Sequence, residues 1–370
     1  MADAAISINH TPEKEAPPVP LQGLKIIERS FFSYRENEWD NFARASSASF
    51  LGSWRVIMAR RLFGAVRLFD FILSDGSPVY HKVGQCALLV DARSVTFLDR
   101  IHLMPEQRVL RDQCLALVAQ RFGSRSYSYG SHWNEEECFP DPAVYGFVTG
   151  ELIDRPFQID VIDFREWADF NAYLRAVSEN VRRDYRKARN AATRVRTRFG
   201  LAAAPDLFAL VAMRACMMRK NKRRFSQIFD FFLHAAKLAI LGGDGFISTA
   251  RINGRCYSAF FGAKFGHNIY AISGGTRQNR LGAGSYLLLT MFEAWFSENP
   301  AGKILMGHGG NPAGENADID GDLLYRRKLR ARPVKGMKFQ LEFKVPSRPF
   351  HDAAHEKVTP QEPPAFTQLP

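Results

Sequence analysis

The sequence predicts an α/β (α+β) protein of two related domains in tandem, each a mixed, mostly antiparallel sheet flanked by helices. Three observations lead there. From Phe246 to Gly310 the chain runs strand, hairpin, strand, turn, strand, glycine-rich loop, helix, strand. The stretch from Val66 to Gly130 runs through the same order. The landmarks of the two stretches sit at nearly one offset: Gly254 lies 178 residues after Gly76, Gly284 179 after Pro105, and Gly307 177 after Gly130. Residue identity between the copies is close to nil, so the repeat is one of architecture.

In the second copy, Phe246–Ile252 reads as a strand. Asn253-Gly254 supplies the two positive-φ residues of a type I′ hairpin turn. Cys256–Phe265 and Ile269–Ser273 are the next strands, joined through Gly266-His267-Asn268. The stretch Gly274–Gly284 then leads into a buried helix, Ser285–Ser297, and a strand, Lys303–Met306, that ends in Gly307-His308-Gly309-Gly310. In the first copy, Glu36 opens a short helix with Trp39 and Phe42 on one face. Val66–Leu73, the Asp75-Gly76 turn, Pro78–Val90 and Ser94–Leu98 are its strands, Pro105–Phe122 its helix, and Ser126–Tyr129 its closing strand.

Between the copies, Phe157–Ile162 reads as a strand. The spacing of Trp167, Phe170, Leu174, Val177, Val181, Tyr185, Ala188 and Ala192 predicts one long helix over 164–198. Its second half holds eight cations from Arg182 to Arg198 against Asp184 alone. Trp133, Trp167 and Trp295 are expected in the core. Residues 1–22 and 346–370 carry the Pro-rich composition of disordered segments. The expected division is therefore an arm, 1–22; a first domain, 23–150; a second domain, 151–345; and a tail, 346–370.

Composition limits the function. The chain has 370 residues, 46% hydrophobic and 24% charged, with a net charge of +12, which favours anionic partners. No apolar run approaches the ~18 residues of a membrane span and no signal peptide is evident, so a cytoplasmic protein without a transmembrane segment is expected. The five cysteines form no C-x-x-C; no metal-ligand spacing, no Gly-x-Ser-x-Gly and no Ser-His-Asp or Cys-His arrangement is visible. Sequence-specific DNA binding is not expected, because no DNA-reading motif appears and aromatics do not interleave with the 182–224 cations.

The glycine-rich entry to the second helix suits a pyrophosphate, because unpaired N–H groups and the positive end of the helix dipole converge there. The same glycines, Gly282 and Gly284, also suit a tight turn and close helix–sheet packing. Asn279-x-x-Gly282-x-Gly284 is neither a Walker nor a Rossmann loop. It resembles the pyrophosphate loop of the GNAT acyltransferase superfamily, with Asn279 where that family usually has Gln or Arg. Ser178–Ala188 resembles a helix of the tandem-domain FemAB-like acyltransferases and their CelD-like relatives in polysaccharide synthesis, and Tyr325-Arg326 resembles their Tyr-Lys element.

The resemblance implies two GNAT-like domains, of which only the second keeps the loop; the first has Asp99, Leu103 and Pro105 at the matching entry. It implies acyl transfer from acyl-CoA (acetyl-CoA) to an amine, on an amino sugar, an amino acid or a cell-envelope precursor, without a metal. Ile272, Ser273, Asn279, Gly282, Ala283, Gly284 and Ser285 would hold the donor. His308 would be the general base and Tyr325 would protonate the leaving thiolate. Arg182, Arg183, Lys187, Arg326 and Lys328 would bind phosphate-bearing substrate. Aminoacyl-tRNA as donor, and a non-catalytic scaffold in a polysaccharide-synthesis complex, are the alternatives.

Overall fold

A computed structural model describes residues 23–74, 81–135, 149–154, 158–191, 193–221, 224–277, 281–308 and 321–344. The N-terminal arm, the Pro-rich tail, the Asp75-Gly76 turn, Asn279 and Gly309-Gly310 lie outside the described residues.

The first half contains β1 (Leu24–Arg29), α1 (Glu36–Ala45), α2 (Trp54–Arg60), β2 (Ala65–Leu73), β3 (His81–Val90), β4 (Ser94–Phe97), β5 (His102–Leu103), α3 (Arg111–Phe122) and β6 (Ser126–Glu135). Next come β7 (Thr149–Asp154), β8 (Gln158–Asp163), α4 (Phe170–Ala176) and α5 (Glu179–Asn190). The second half continues with β9 (Arg194–Phe199), α6 (Leu207–Lys220), α7 (Gln227–Leu241), β10 (Gly245–Ile252), β11 (Arg255–Phe265), β12 (Asn268–Thr276), α8 (Ala283–Glu298), β13 (Lys303–His308), α9 (Gly321–Lys328) and β14 (Arg332–Lys344).

The repeat is present in the strand order. β1-β2-β3-β4 is an antiparallel run, and β4 pairs in parallel with β6 across the crossover made by α3. β9-β10-β11-β12 is the second such run, and β12 pairs in parallel with β13 across α8. A parallel neighbour demands a long connection, which is why each helix falls where it does. Asn253 and Gly254 have φ of 48° and 77°, the expected type I′ pair.

The two sheets exchange strands. β8, made before the second repeat begins, lies antiparallel to β13 in the second sheet. β14, the last described strand, begins there beside β8, with Arg332 opposite Val161. It then crosses into the first sheet, where Gly336–Glu342 pairs with β6 and Phe339–Lys344 with β7. The sheets are thereby joined into one of 14 strands.

One buried cluster fills the first half, with Phe69, Phe71, Leu88, Val118 and Tyr129 at its centre and Phe339 and Leu341 of β14 inserted. The second sheet has a core on each face. α4, α5 and α8 cover one face through Tyr173, Val181, Leu287 and Phe292. α6 and α7 cover the other through Leu207, Leu210 and Leu238, together with Ala43, Ala48 and Phe50 from the first half. Phe50, Trp133 and Tyr270 meet there with ring centroids 5.0–5.8 Å apart. Trp295 is buried, whereas Trp133 and Trp167 are partly buried against the core.

Several local expectations are corrected. The long helix over 164–198 is a 3-10 turn, α4, α5 and then strand β9. Val177 and Ser178 take extended ψ of 147° and 146°, which breaks the helix before Glu179. Arg194-Val-Arg-Thr-Arg-Phe199 alternates charge with apolar or β-branched residues and pairs with β10 as the sheet's outer strand, and a charged edge resists pairing with other chains. The cations are thus split between a helix and a strand. Pro105–Leu110 is a 3-10 segment ahead of α3, so Val109 is 80% exposed rather than on an apolar face. Gly200–Lys220 is, by length and composition, long and apolar enough to cross a bilayer, contrary to expectation. Its Ala203, Leu207, Leu210 and Met213 are packed in the core.

The exchange predicts that the halves are not independent. Residues 23–154 expressed alone lack β14, and 155–344 alone leave it without its first-sheet partners. Neither should melt cooperatively by circular dichroism, while the two mixed should elute together on size exclusion. A cooperative melt of 23–154 alone would contradict the exchange.

Candidate functional site

β12 and β13 pair only from Asn268 to Tyr270 and from Lys303 to Leu305. Both strands then acquire an extra residue. Opposite β11, Phe261 pairs with Ser273 but the next residue, Gly262, pairs with Ala271, so Ile272 bulges. Opposite β8, Leu305 pairs with Val161 and His308 with Ile159, so Met306 and Gly307 face Asp160 alone. Gly307 has φ of 76°, a conformation open to glycine at little cost. Bulges bend strands, and two of them immediately beyond the last shared pair leave a wedge between β12 and β13.

β12 leads from this wedge towards α8. Gly282 caps the helix with φ 73° and ψ 26°, and its carbonyl accepts from Tyr286 N at 3.1 Å. The first N–H groups of a helix have no intrahelical acceptor. Ala283 and Ser285 in this first turn are buried. α5 crosses at the same point. A Cβ on Gly282 would lie 2.5 Å from the Asp184 carbonyl oxygen, so the glycine is required by packing alone. A Cβ on Gly284 would lie 3.0 Å from Thr276 Oγ1.

The crossing brings the basic helix to the loop. α5 buries Val181, Tyr185 and Ala188, and Tyr185 Oη donates to Glu293 Oε2 of α8 at 3.4 Å. Arg183 and Lys187 flank Asp184 and are exposed. Arg182 is partly buried and donates to the Arg175 carbonyl at 3.1 Å.

α9 closes the site. Tyr325 Oη donates to Ser285 Oγ in the first turn of α8 at 3.1 Å. Arg326, expected to bind substrate, is an ion-pair partner of Asp160 at 3.3 Å, and Arg327 reaches the other carboxylate oxygen at 3.3 Å. Asp160 is fully buried opposite the β13 bulge, so this contact fixes α9, and Tyr325 with it, against the wedge. Lys328 ends α9, and its carbonyl accepts from Ser178 N at 3.0 Å. His308 is the last residue of β13, beyond its bulge; its imidazole lies outside the described residues.

The matching place in the first half is filled by its own chain. After β4, Gly130 N donates to the Asp99 carbonyl at 3.2 Å and Ile101 N to Tyr129 Oη at 3.1 Å, keeping the chain on β6. The Asp99 carboxylate accepts from Ser49 Oγ at 2.6 Å and lies 3.2 Å from His102 Nε2. Burial opposes its charge, yet the hydrogen bonds and charges of His102, Ser49 and Arg100 hold its pKa below the usual value. Pro105 begins the following 3-10 segment, where a backbone donor would otherwise stand.

One hydrogen-bonded grouping beside the wedge has no motif in the sequence. Ser273 Oγ of β12 is hydrogen-bonded to His234 Nε2 of α7, whose Nδ1 bonds in turn to the Asp230 main-chain carbonyl, with the Asp230 carboxylate 3.5 Å away. Asp230 and His234 are one helical turn apart on α7, and tertiary packing brings Ser273, 39 residues further on, to them. Among the described residues, no group of three or more His, Cys, Asp or Glu side chains is placed to hold a metal ion.

Residues 176–311 match the family described as an acetyltransferase (GNAT) domain. None of the curated proteins matches the chain. Among solved structures, FemX has a TM-score of 0.64 at 9% identity, covering 85% of this chain and 96% of its own. A conserved protein of unknown function from Bacteroides thetaiotaomicron has a TM-score of 0.52 at 10% identity, over 86% and 100%. A tandem GNAT protein from the clavulanic acid biosynthesis pathway has a TM-score of 0.45 at 14% identity, over 88% and 100%. At such identities the likeness is one of fold, and FemX carries it.

Three substitutions test the geometry. Gly282→Ala should destabilise the protein by about 2–4 kcal/mol, from positive φ plus collision with α5, whereas Gly284→Ala should cost about 1 kcal/mol because Thr276 can rotate. Urea titration measures both, and equal costs would contradict the packing described. Arg326→Met should cost about 3 kcal/mol by leaving Asp160 short of a partner; a variant as stable as the parent would mean the pair is unimportant.

Proposed function

With residues 176–311 a GNAT domain and the chain similar in fold to FemX, we propose an acyltransferase that moves an acyl group from acyl-CoA to an amine. The observation that carries this reading is the wedge between β12 and β13, which leads to the glycine-capped N-terminus of α8. A thioester supplies the activated carbonyl. Ile272 and Ser273 border the wedge and would align its chain. The first turn of α8, Gly282 to Ser285, would accept the pyrophosphate through main-chain N–H groups and the helix dipole. Arg183 and Lys187, exposed on the helix that crosses this turn, add positive charge.

Acyl transfer requires a neutral amine, a stabilised oxyanion and a protonated leaving thiolate. His308, at the end of β13, is placed in chain order to accept the amine proton. Tyr325 is held by the Asp160–Arg326 contact with its hydroxyl at the first turn of α8, and would protonate the thiolate.

A second reading, aminoacyl-tRNA as donor, is favoured by the extent of basic surface. Exposed Arg183, Arg186, Lys187 and Arg189 on α5, with Arg194 and Arg196 on the edge strand β9, exceed what one pyrophosphate needs.

Isothermal titration with coenzyme A distinguishes the readings. Binding should be lost, by about a hundredfold or more, in Gly284→Asp, since several charge-assisted hydrogen bonds are removed and a negative charge added. Arg183→Ala/Lys187→Ala should weaken binding while leaving the melting temperature nearly unchanged, because both side chains are exposed. No binding of coenzyme A to the parent chain, with tRNA bound instead, would reverse the choice of donor.

A further inference from the structure

We propose that Ser273 is a nucleophilic serine, activated by His234, which receives the acyl group before the acceptor does. This rests on the acyl-transfer reading above and replaces its direct transfer with two steps, in which His234 moves the protons there given to His308 and Tyr325.

The direction of each hydrogen bond is fixed by chemistry. His234 Nδ1 lies 2.8 Å from the Asp230 carbonyl oxygen. A carbonyl cannot donate, so Nδ1 carries the hydrogen. In the neutral ring, Nε2 then holds a lone pair, and it faces Ser273 Oγ at 2.7 Å. The serine hydroxyl therefore donates to the imidazole. The Asp230 carboxylate lies 3.5 Å from Nδ1 and is itself held by Arg214 Nε at 2.9 Å and 3.2 Å. The ring also packs edge-on against Phe261, with centroids 5.4 Å apart. Nucleophile, base and orienting group thus occur in the order that activates a hydroxyl, on a fold where chain order is no guide.

Exposure is divided in the same sense. His234 is 1% exposed, whereas Ser273 is partly exposed. Ser273 directly follows the bulged Ile272, where β12 leaves β13. Among the described residues no strand pairs with β12 on that side beyond Tyr270, so alternate main-chain N–H groups there can face the gap and stabilise an oxyanion.

In the first step Ser273 Oγ attacks the thioester carbon and its proton passes to His234 Nε2. The O–C bond forms, the C–S bond breaks, and the thiolate leaves with that proton. In the second step the amine attacks the ester carbon and gives a proton to Nε2. The C–O bond breaks, and Ser273 Oγ recovers the proton. Thioester and amine become thiol and amide, with no change of oxidation state.

The groups facing His234 are Asp230 and Lys237 of its own helix, Arg214 of α6, and uncharged Ser273 and Phe261 from the sheet. Burial lowers its pKa from the ordinary histidine value, and Asp230 opposes this. The imidazole is therefore neutral, and able to accept a proton, at pH 7.

Diisopropyl fluorophosphate tests the serine without any acyl donor. The full chain should be labelled on Ser273, located by peptide mass spectrometry, and Ser273→Ala should not be. His234→Gln should slow labelling by about a hundredfold. In the parent chain the rate should be flat above pH 7 and fall as acid protonates the imidazole; this profile stands even if His234→Gln fails to fold. An unlabelled Ser273, or a rate indifferent to both His234 and acid, overturns the proposal. Labelled Ser273 with no binding of coenzyme A would sink the donor assignment and leave the nucleophile; the converse would leave the donor and remove the intermediate.

Discussion

The second half of the molecule depends on an interruption of hydrogen bonding. β12 and β13 share three residue pairs and then each takes in one residue too many. Buried main-chain groups ordinarily find partners, so two neighbouring strands that part inside a sheet leave donors and acceptors for something else. The features around the gap serve that opening. Gly307 permits the bend, Trp133 packs within 3.2–3.4 Å of where its Cβ would be, and Asp160 faces the bulge and ties down α9. The first half makes the opposite choice. Its corresponding chain stays bonded to β6 and buries Asp99 among Ser49, His102 and Arg100. One repeat is a frame that packs; the other is a frame held open.

The frames support each other through exchanged strands. β8 separates β13 from β14, and β14 supplies Phe339 and Leu341 to the first core. Aromatic contact among Phe50, Trp133 and Tyr270 adds a second junction, close to the last paired residue of β12. A buried aromatic side chain contributes about 1.5–3 kcal/mol by area alone. The wedge is thus anchored from the first domain as well as from its own helices.

Much of the frame was legible in the sequence because local chemistry dictated it. Asn253-Gly254 has few uses besides a type I′ turn, and the offset between repeats survived the loss of residue identity. Apolar spacing misled at 164–198, since a stripe of threes and fours cannot show that Val177 and Ser178 turn extended, and Arg194–Phe199 reads as helix or strand until β10 lies beside it. At the candidate site, Gly282 and Tyr325 could be named from the sequence because their neighbours in the chain mark them. The roles of Arg326 and His234 could not, because each is defined by a partner far away in sequence: Asp160 is 166 residues from Arg326, and Ser273 is 39 from His234. The strand exchange had no sequence signal, as a strand's pattern does not name its neighbour.

The path of β14 also sets a timetable for synthesis. Gln340 bonds to Ser126 at 2.6 Å across 214 residues of chain. At ribosomal rates of about 5–20 residues per second, β6 waits roughly ten seconds or more before its neighbour exists. During that time the first sheet has an open edge and an incomplete core, and contacts of such long range are slow to form. A nascent chain of this kind cannot bank its first domain while making the second. Both close together, after β14 has left the ribosome, and until then an exposed β6 is a surface on which holding chaperones would act.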